Sequence, residues 1–125
     1  MKHLFYRIAG GGAGAVARYA LSEAVHRAWG KTMPYGTFAV NIIGCLLLGF
    51  LVVMSETRFH LRPGFRVLLI AGFCGAFTTF SSFIFEISGL IESGHSVKAL
   101  GYLLMSVTVG FLFFRLGIVL TQRVF

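Results

Sequence analysis

The stretch that decides the fold is FCGAFTTFSSFIFE, residues 73–86. It begins as an apolar segment, places four hydroxyl-bearing residues within five positions, and ends at the carboxylate of Glu86. Phe80 and Phe83 lie among the hydroxyls. So many polar groups inside an apolar chain predict that this segment faces something other than lipid.

The composition around this stretch indicates an integral membrane protein. The chain has 125 residues, of which 57% are hydrophobic and 12% charged, and its mean hydropathy is +0.85. A soluble domain usually carries about 25% charged residues, and this length allows one domain. The basic residues behind the net charge of +7 are spread among the segment ends and form no nucleic-acid-binding motif, so we expect no nucleic-acid partner.

Apolar segments at about residues 4–25, 33–55, 67–90 and 99–120 predict an all-α fold of four membrane-spanning helices in a single domain, residues 1–125. The short connections make consecutive helices antiparallel neighbours. The basic residues give a modest bias between the two sides, which leaves insertion in both orientations open. Gly72 and Gly75 weaken the third helix just before its hydroxyls, so a break near its middle is predicted.

Small residues recur every four positions in the first two predicted spans. Stripes of this kind let helix backbones approach closely in lipid. The sequence therefore predicts close helix packing, within or between subunits, at these positions: Ala9, Ala13 and Ala17, Gly10 and Gly14, and Gly36, Val40 and Gly44.

Polar side chains occur within three of the predicted spans, where lipid would reject them. A monomer of four helices has little interior in which to bury such groups. We therefore expect an oligomer with a polar path at a subunit interface. The residues concerned are Asn41 in the second span, Thr79, Ser82 and Glu86 on one face of the third, and Tyr102, Ser106 and Gly110 on one face of the fourth.

The residues alone leave several alternatives open. Glu86 either sits near a helix end in headgroup water or closes a polar track. Arg18 either reaches the membrane interface or supplies positive potential at the mouth of a pathway. Phe80 and Phe83 either pack in lipid or core, or line the path. Ring edges suit an anion and ring faces a cation, so the sign of a transported ion is not determined.

Three motifs carry a resemblance to a known family. They are GAVARY at 14–19, GTFAVNIIG at 36–44 and GFCGAFTTFSSF at 72–83. These are similar to the patterns G-A-x-x-R-[YW], G-T-x-x-V-N-x-x-G and G-x-x-G-x-x-T-T-F-S-T-F. In these motifs, and over essentially its whole length, the chain resembles the small bacterial fluoride channels of the Fluc (CrcB) family.

The resemblance implies a fluoride-selective passive channel, rather than an enzyme, that exports fluoride as a multi-pass protein of the bacterial inner membrane. It also implies an antiparallel, dual-topology homodimer with two separate fluoride pathways along the subunit interface. The expected partners are a second copy of the chain, fluoride, sodium and membrane lipid. No organic cofactor is expected.

The resemblance also assigns residues to roles. Arg18 would make a vestibule attractive to anions. The helix break, placed by the resemblance at Gly75 to Thr78, would meet its symmetry mate at the dimer centre, where the backbone carbonyls of these two residues would hold a structural sodium ion. The anion pathway would be lined by Asn41, Phe80, Ser81, Ser82, Phe83, Glu86, Tyr102 and Ser106.

The chain departs from the family pattern at Ser82, where Thr is common, and at Ile84 and Gly110, where Ser can occur. The last two remove hydroxyls that the family's polar track can carry. The residues leave three other functions open. One is a proton-coupled fluoride exchanger, and another is a non-transporting membrane anchor. A third is a small multidrug-efflux exporter, which depends on a carboxylate buried in the first span, whereas Glu23 lies close to that span's end.

Overall fold

The structure, a computed structural model, describes residues 1–58 and 60–125, and no strand occurs among them. Two π-helical segments, Met54–Arg58 and Val67–Cys74, lie between or beside the α-helices. The α-helices are α1 (Lys2–Trp29), α2 (Tyr35–Val53), α3 (Pro63–Arg66), α4 (Gly75–Phe77), α5 (Phe80–Glu92) and α6 (Ser96–Val124).

Within the described residues, three helical stretches are long and apolar enough to cross a membrane: Tyr35–Thr57, Pro63–Glu92 and Ser96–Val124. The chain is therefore a membrane protein with an all-helical fold. The 28 residues of α1 are about 42 Å long at 1.5 Å per residue. Arg7, Arg18 and Glu23 make α1 less apolar than the other three stretches, so its crossing of the membrane stays a prediction.

The third stretch is broken at Thr78 and Thr79, which are extended with φ, ψ of −82°, 156° and −147°, 116°. The family resemblance placed the break from Gly75 to Thr78, and that start is wrong, because Gly75 is helical with φ −62° and ψ −36°. A glycine costs a helix only about 1 kcal/mol. The break occurs instead where Thr79 finds other partners, and its Oγ1 accepts from the Ser82 N–H at 3.3 Å as the cap of α5.

Glycines in α1 let that helix lie directly on the π-helical segment Val67–Cys74. A Cβ built at Gly10 would overlap the Leu68 carbonyl oxygen, and one at Gly14 would overlap the Phe73 carbonyl oxygen. Close helix packing at these two glycines is therefore confirmed within one protomer. Ala9 and Ala13, in contrast, are exposed.

A second backbone contact joins α2 to α6. A Cβ built at Gly117 would overlap the Leu46 carbonyl oxygen and lie 2.9 Å from the Phe50 nitrogen, and Gly49 faces the Phe114 carbonyl in the same way. This close approach holds the two long apolar helices together. It also aligns their N-terminal halves, which carry the polar residues considered next.

The turn between α5 and α6 places these helices side by side. Gly94 has φ 82°, a left-handed conformation that glycine adopts without strain. The His95 N–H donates to the Leu90 carbonyl at 2.8 Å and the Gly94 N–H donates to the Ile91 carbonyl at 3.1 Å, a Schellman motif. The chain therefore reverses within a few residues, and α6 packs antiparallel to α5.

Candidate functional site

The helix break is held by the side chain of Asn41. Its Nδ2 donates to the Thr79 carbonyl at 3.1 Å, and the Thr79 N–H donates to its Oδ1 at 2.8 Å. One amide thus satisfies both backbone groups of Thr79, each of which would otherwise cost about 1–3 kcal/mol if buried and unpaired. The second N–H of the amide has no acceptor among residues 1–58 and 60–125, so it remains available to a ligand.

The break also deprives two carbonyls, those of Gly75 and Thr78, of the N–H donors that they would have in an unbroken helix. There, the Thr79 N–H would donate to Gly75 and the Ser82 N–H to Thr78. Here, those N–H groups donate to Asn41 Oδ1 and to Thr79 Oγ1. Gly75 is exposed, and a Cβ built on it would meet nothing within 4 Å. Backbone oxygens freed at a broken helix are suitable ligands for Na⁺.

Glu86 lies at the centre of a hydrogen-bonded cluster. The Thr37 hydroxyl donates to its Oε1 at 2.5 Å, and the Tyr102 hydroxyl donates to its Oε2 at 2.9 Å. Thr37 and Tyr102 are each 6% exposed, and Glu86 is half-buried. Helices α2, α5 and α6 therefore converge on one carboxylate, as expected for a polar track rather than for a residue free in headgroup water.

Two phenylalanine rings continue from this cluster towards the surface of the protomer. Phe83 is 5% exposed and meets the Tyr102 ring edge-on, with centroids 5.0 Å apart and planes at 65°. The centroid of Phe80 lies 6.0 Å from that of Phe83, but Phe80 is 74% exposed. One ring thus belongs to the cluster, and the other projects outward from the protomer.

Ser106 lies one turn beyond Tyr102 on the same side of α6. Its Oγ is buried and has no hydrogen-bond partner in the described part of the chain. A buried hydroxyl in that state costs about 1–3 kcal/mol, so Ser106 carries an unpaired polar group among the helices of the described chain. Gly110, one turn further, packs towards α2, because a Cβ there would lie 3.5 Å from Cys45 Sγ.

Other residues assigned from the sequence lie outside the cluster. Ser81 is exposed on α5, and Ser82 is half-buried and reaches Thr79 through its backbone N–H. Arg18 is half-buried on α1 and forms no hydrogen bond or ion pair with any described residue. Ile84 lies on the exposed side of α5, so it does not interrupt the contacts of Glu86.

Thr37, the donor closest to Glu86, was not predicted from the sequence. The signal was present, because Thr37 precedes Asn41 by four residues and therefore lies on the same face of α2. It also stands within the GTFAVNIIG motif. The partnership of Thr79 with Asn41 was missed as well, since nothing local connects residues that are 38 positions apart.

The polar residues adjoin two open clefts. One, of about 390 Å³, is lined by Asn41, Thr78, Thr79 and Phe80 together with apolar residues of α2 and the π-helical segment. The other, of about 410 Å³, is lined by Glu86 and by charged residues of α1 and the α1–α2 connection. The Asn41 end and the Glu86 end of the site are each reached from outside the protomer.

These features define a class: a multi-helical membrane protein with a broken helix and polar groups turned away from lipid, the arrangement that marks ion and substrate pathways. The profile of the family described as CrcB-like protein, Camphor Resistance (CrcB) matches residues 5–118. The chain belongs to this family, and the resemblance carried by its three motifs is confirmed.

Similar proteins cover nearly the whole chain. A protein from Phocaeicola vulgatus named Fluoride-specific ion channel FluC is 40% identical over 122 residues, 98% of this chain and 100% of that protein. A protein of the same name from Hahella chejuensis is 40% identical over 122 residues, 98% of this chain and 96% of its own. A third, from Nitratidesulfovibrio vulgaris, is 51% identical over 84 residues, 67% of this chain and 68% of its own.

Proposed function

We propose that this protein is a fluoride-selective channel through which fluoride leaves the cell passively across the bacterial inner membrane. The observation that carries the proposal is the similarity, over nearly the full length of both chains, to proteins named as fluoride-specific ion channels. The convergence of polar groups from α2, α5 and α6 supports it, because lipid-facing helices need no such cluster.

In this proposal, protein donors replace the water that fluoride must shed. The spare N–H of Asn41 and the outward ring edge of Phe80 receive the ion at the helix break. Phe83 and the Ser106 hydroxyl continue the path, Tyr102 lines it with its one hydroxyl proton donated to Glu86, and Ser81 and Ser82 flank it on α5. Glu86 accepts from Tyr102 and thereby fixes the direction of that hydroxyl. Arg18 makes the vestibule attractive to anions.

The pathway is completed by a second copy of the chain, inserted antiparallel in a dual-topology homodimer. One observation supports a partner at this surface. Phe80 is 74% exposed although it lies beside the polar cluster. A symmetric dimer would use this surface twice and form two pathways.

A sodium ion at the dimer centre fits the residues present. The carbonyls of Gly75 and Thr78 have lost their regular helical donors, and Gly75 lies at an open surface. Two protomers would together offer four such oxygens. Bound there, the ion would supply positive charge that holds the two helix breaks together; the ion-conducting steps use the side chains described above.

Proton-coupled fluoride exchange is the second candidate. It is favoured by the position of Glu86, a titratable group that lines an open cleft and contacts Tyr102 in the polar cluster. The multidrug-exporter alternative loses its support, because the chain belongs to the CrcB-like family.

The test is fluoride efflux from liposomes that contain the purified protein, followed with a fluoride electrode. A channel releases fluoride when a potassium ionophore balances the charge, retains chloride in a parallel sample, and needs no proton gradient. Efflux that also needs the ionophore but acidifies the vesicle interior in proportion to the fluoride released would favour the exchanger, which moves one proton inward for each fluoride that leaves. Retention of fluoride under all these conditions would refute transport of this ion.

A further inference from the structure

The two ends of the protomer differ in charge. At one end, Tyr6 of α1 meets Phe65 of α3, and Phe50 of α2 meets Phe125 just after α6, with ring centroids 6.4 Å apart in each pair. Among the side chains that the structure describes, this end has five basic residues and one carboxylate: Lys2, Arg7, Arg62, Arg66, Arg123 and Glu56. The described residues at the other end include three of each sign: Arg27, Lys31, Lys98, Glu23, Glu86 and Glu92. We refer to the first as the basic end.

The one carboxylate of the basic end already has a partner. Arg66 Nη2 lies 3.3 Å from Glu56 Oε1, and both side chains are about half exposed. Lys2, Arg7 and Arg62 are exposed as well, and none of them forms an ion pair with a described residue. Because like charges at one surface repel each other, an anion from outside the protomer would lower the electrostatic energy of this end.

Two of the unpaired basic side chains come from segments that meet at the ring of Tyr6. The backbone of α3 lies against this ring, because a Cβ built at Gly64 would overlap Tyr6 Cε2. The Arg66 N–H donates to the Arg62 carbonyl at 3.1 Å, so Arg62 is joined directly to α3. Lys2 lies one turn before Tyr6, on the same side of α1. The packing of α3 on α1 therefore brings Lys2 and Arg62 to one surface.

The surface beside these cations is apolar. Leu4, Phe5 and Ile8 are each more than half exposed on the side of α1 that faces away from the π-helical segment, and the ring of Phe65 is half exposed on α3. A phospholipid matches such a surface, because its phosphate can meet the cations while its acyl chains cover the apolar side chains. A free inorganic anion would use the cations alone and leave the apolar side chains uncovered.

We propose that the basic end binds a phospholipid with a negatively charged headgroup, held by Lys2 and Arg62, with its acyl chains along the exposed side of α1. A Lys or Arg close to an anionic lipid surface contributes about 1 kcal/mol, which corresponds to about fivefold in binding. The basic end should therefore prefer anionic over zwitterionic phospholipid by at least about fivefold. This inference goes beyond the proposed function, because it does not depend on the ion that the protein conducts.

Tryptophan fluorescence can report the lipid at each end separately. Trp29 is the only tryptophan of the chain and is 70% exposed at the end of α1 away from the basic end. The double variant Trp29→Phe, Phe65→Trp moves this probe to the basic end. Each protein is placed in liposomes at an ionic strength of about 0.1 M. Quenching by phosphatidylglycerol with brominated acyl chains, compared with quenching by brominated phosphatidylcholine, gives the relative binding constant of the two lipids at the probe.

The expected results differ between the two ends. The moved probe should show phosphatidylglycerol bound at least about fivefold more tightly than phosphatidylcholine, whereas Trp29 of the parent should show the two lipids bound equally. Adding Lys2→Gln and Arg62→Gln should bring the ratio at the moved probe to about one. Arg27→Gln with Lys98→Gln is the matched control, because it removes one exposed arginine and one exposed lysine from the other end, and it should leave the ratio unchanged.

Three results would overturn the inference. They are equal binding of both lipids at the moved probe, an equal preference for phosphatidylglycerol at Trp29, and a preference that persists after Lys2→Gln and Arg62→Gln. Phe5→Trp in the Trp29→Phe background is a second probe of the basic end, since Phe5 is 76% exposed, and it decides the outcome if Phe65→Trp lowers the melting temperature. Fluoride is not measured, so this inference and the proposed function can fail independently.

Discussion

The two halves of the third spanning stretch are held in place by different forces. Before the break, the π-helical segment Val67–Cys74 lies against α1 through glycines, with backbone against backbone. After the break, α5 is held by side-chain hydrogen bonds, from Asn41 to the backbone of Thr79 and from Thr37 and Tyr102 to Glu86. The half before the break is thus held by close backbone packing, and the half after the break is held by side-chain hydrogen bonds.

This difference separates stability from transport. Close packing between backbones tolerates no added atoms, so changes before the break should unfold the protomer. The polar contacts after the break are open to clefts on two sides, and an ion can compete for them. Changes there should alter conduction while most of the fold remains.

The largest expected effect is that of Gly14→Leu. The new side chain would overlap the Phe73 carbonyl, which is backbone and cannot move aside, so we expect a loss of at least about 3 kcal/mol in the free energy of unfolding. Thermal unfolding in detergent, with size-exclusion chromatography, measures it. Gly12→Leu is the control, because a Cβ there meets nothing within 4 Å. Equal melting temperatures for the two variants would contradict the claim that close backbone packing holds the segment before the break in place.

Asn41→Asp should have the next largest effect, because it changes both fluoride transport and the stability of the fold. Aspartate can still accept from the Thr79 N–H, but it cannot donate to the Thr79 carbonyl, and it places a negative charge beside the path. We expect fluoride efflux to fall at least about tenfold, equivalent to about 1.4 kcal/mol in the barrier. The unfolding free energy should fall by about 1–3 kcal/mol. Parent-like efflux would show that Asn41 only holds the helix break.

Tyr102→Phe is expected to have the smallest effect of these changes. It removes the donor to Glu86 Oε2 and keeps the ring that meets Phe83. Efflux should fall about three- to tenfold, which corresponds to about 0.7–1.4 kcal/mol, with a small loss of stability. Tyr35→Phe, at an exposed tyrosine on α2, serves as the control. If both variants conduct like the parent, the Tyr102 hydroxyl lies outside the path.

The features predicted best from the sequence are those that depend on residues close together in the chain. Apolar length predicted the helical segments, and four-residue spacing identified Gly10 and Gly14 as packing positions. Gly72 and Gly75, just before the hydroxyls, predicted a break within a few residues of its position at Thr78 and Thr79. Each of these features depends on neighbours in the chain, so it can be read without knowledge of the fold.

Features that depend on distant partners were harder to predict. The break begins at Thr78 rather than Gly75, because Asn41, 38 residues from Thr79, stabilises the extended backbone. Thr37 was overlooked as a donor to Glu86, since the two are 49 residues apart. Glycine propensity and hydroxyl counts cannot resolve such choices, whereas the contacts between α2 and α5 do.

The central claim is that the residues after the break line a path for fluoride, and Phe80→Ile tests it most directly. Phe80 and Phe85 are 74% and 79% exposed on the same helix, and Phe80 alone of this pair adjoins Asn41 and Thr79 in the cleft at the break. Both isoleucine variants should keep the parent's elution volume and melting temperature. Fluoride efflux from liposomes should fall at least about tenfold for Phe80→Ile and stay at the parent rate for Phe85→Ile. A Phe80→Ile protein that releases fluoride as fast as the parent would contradict the account.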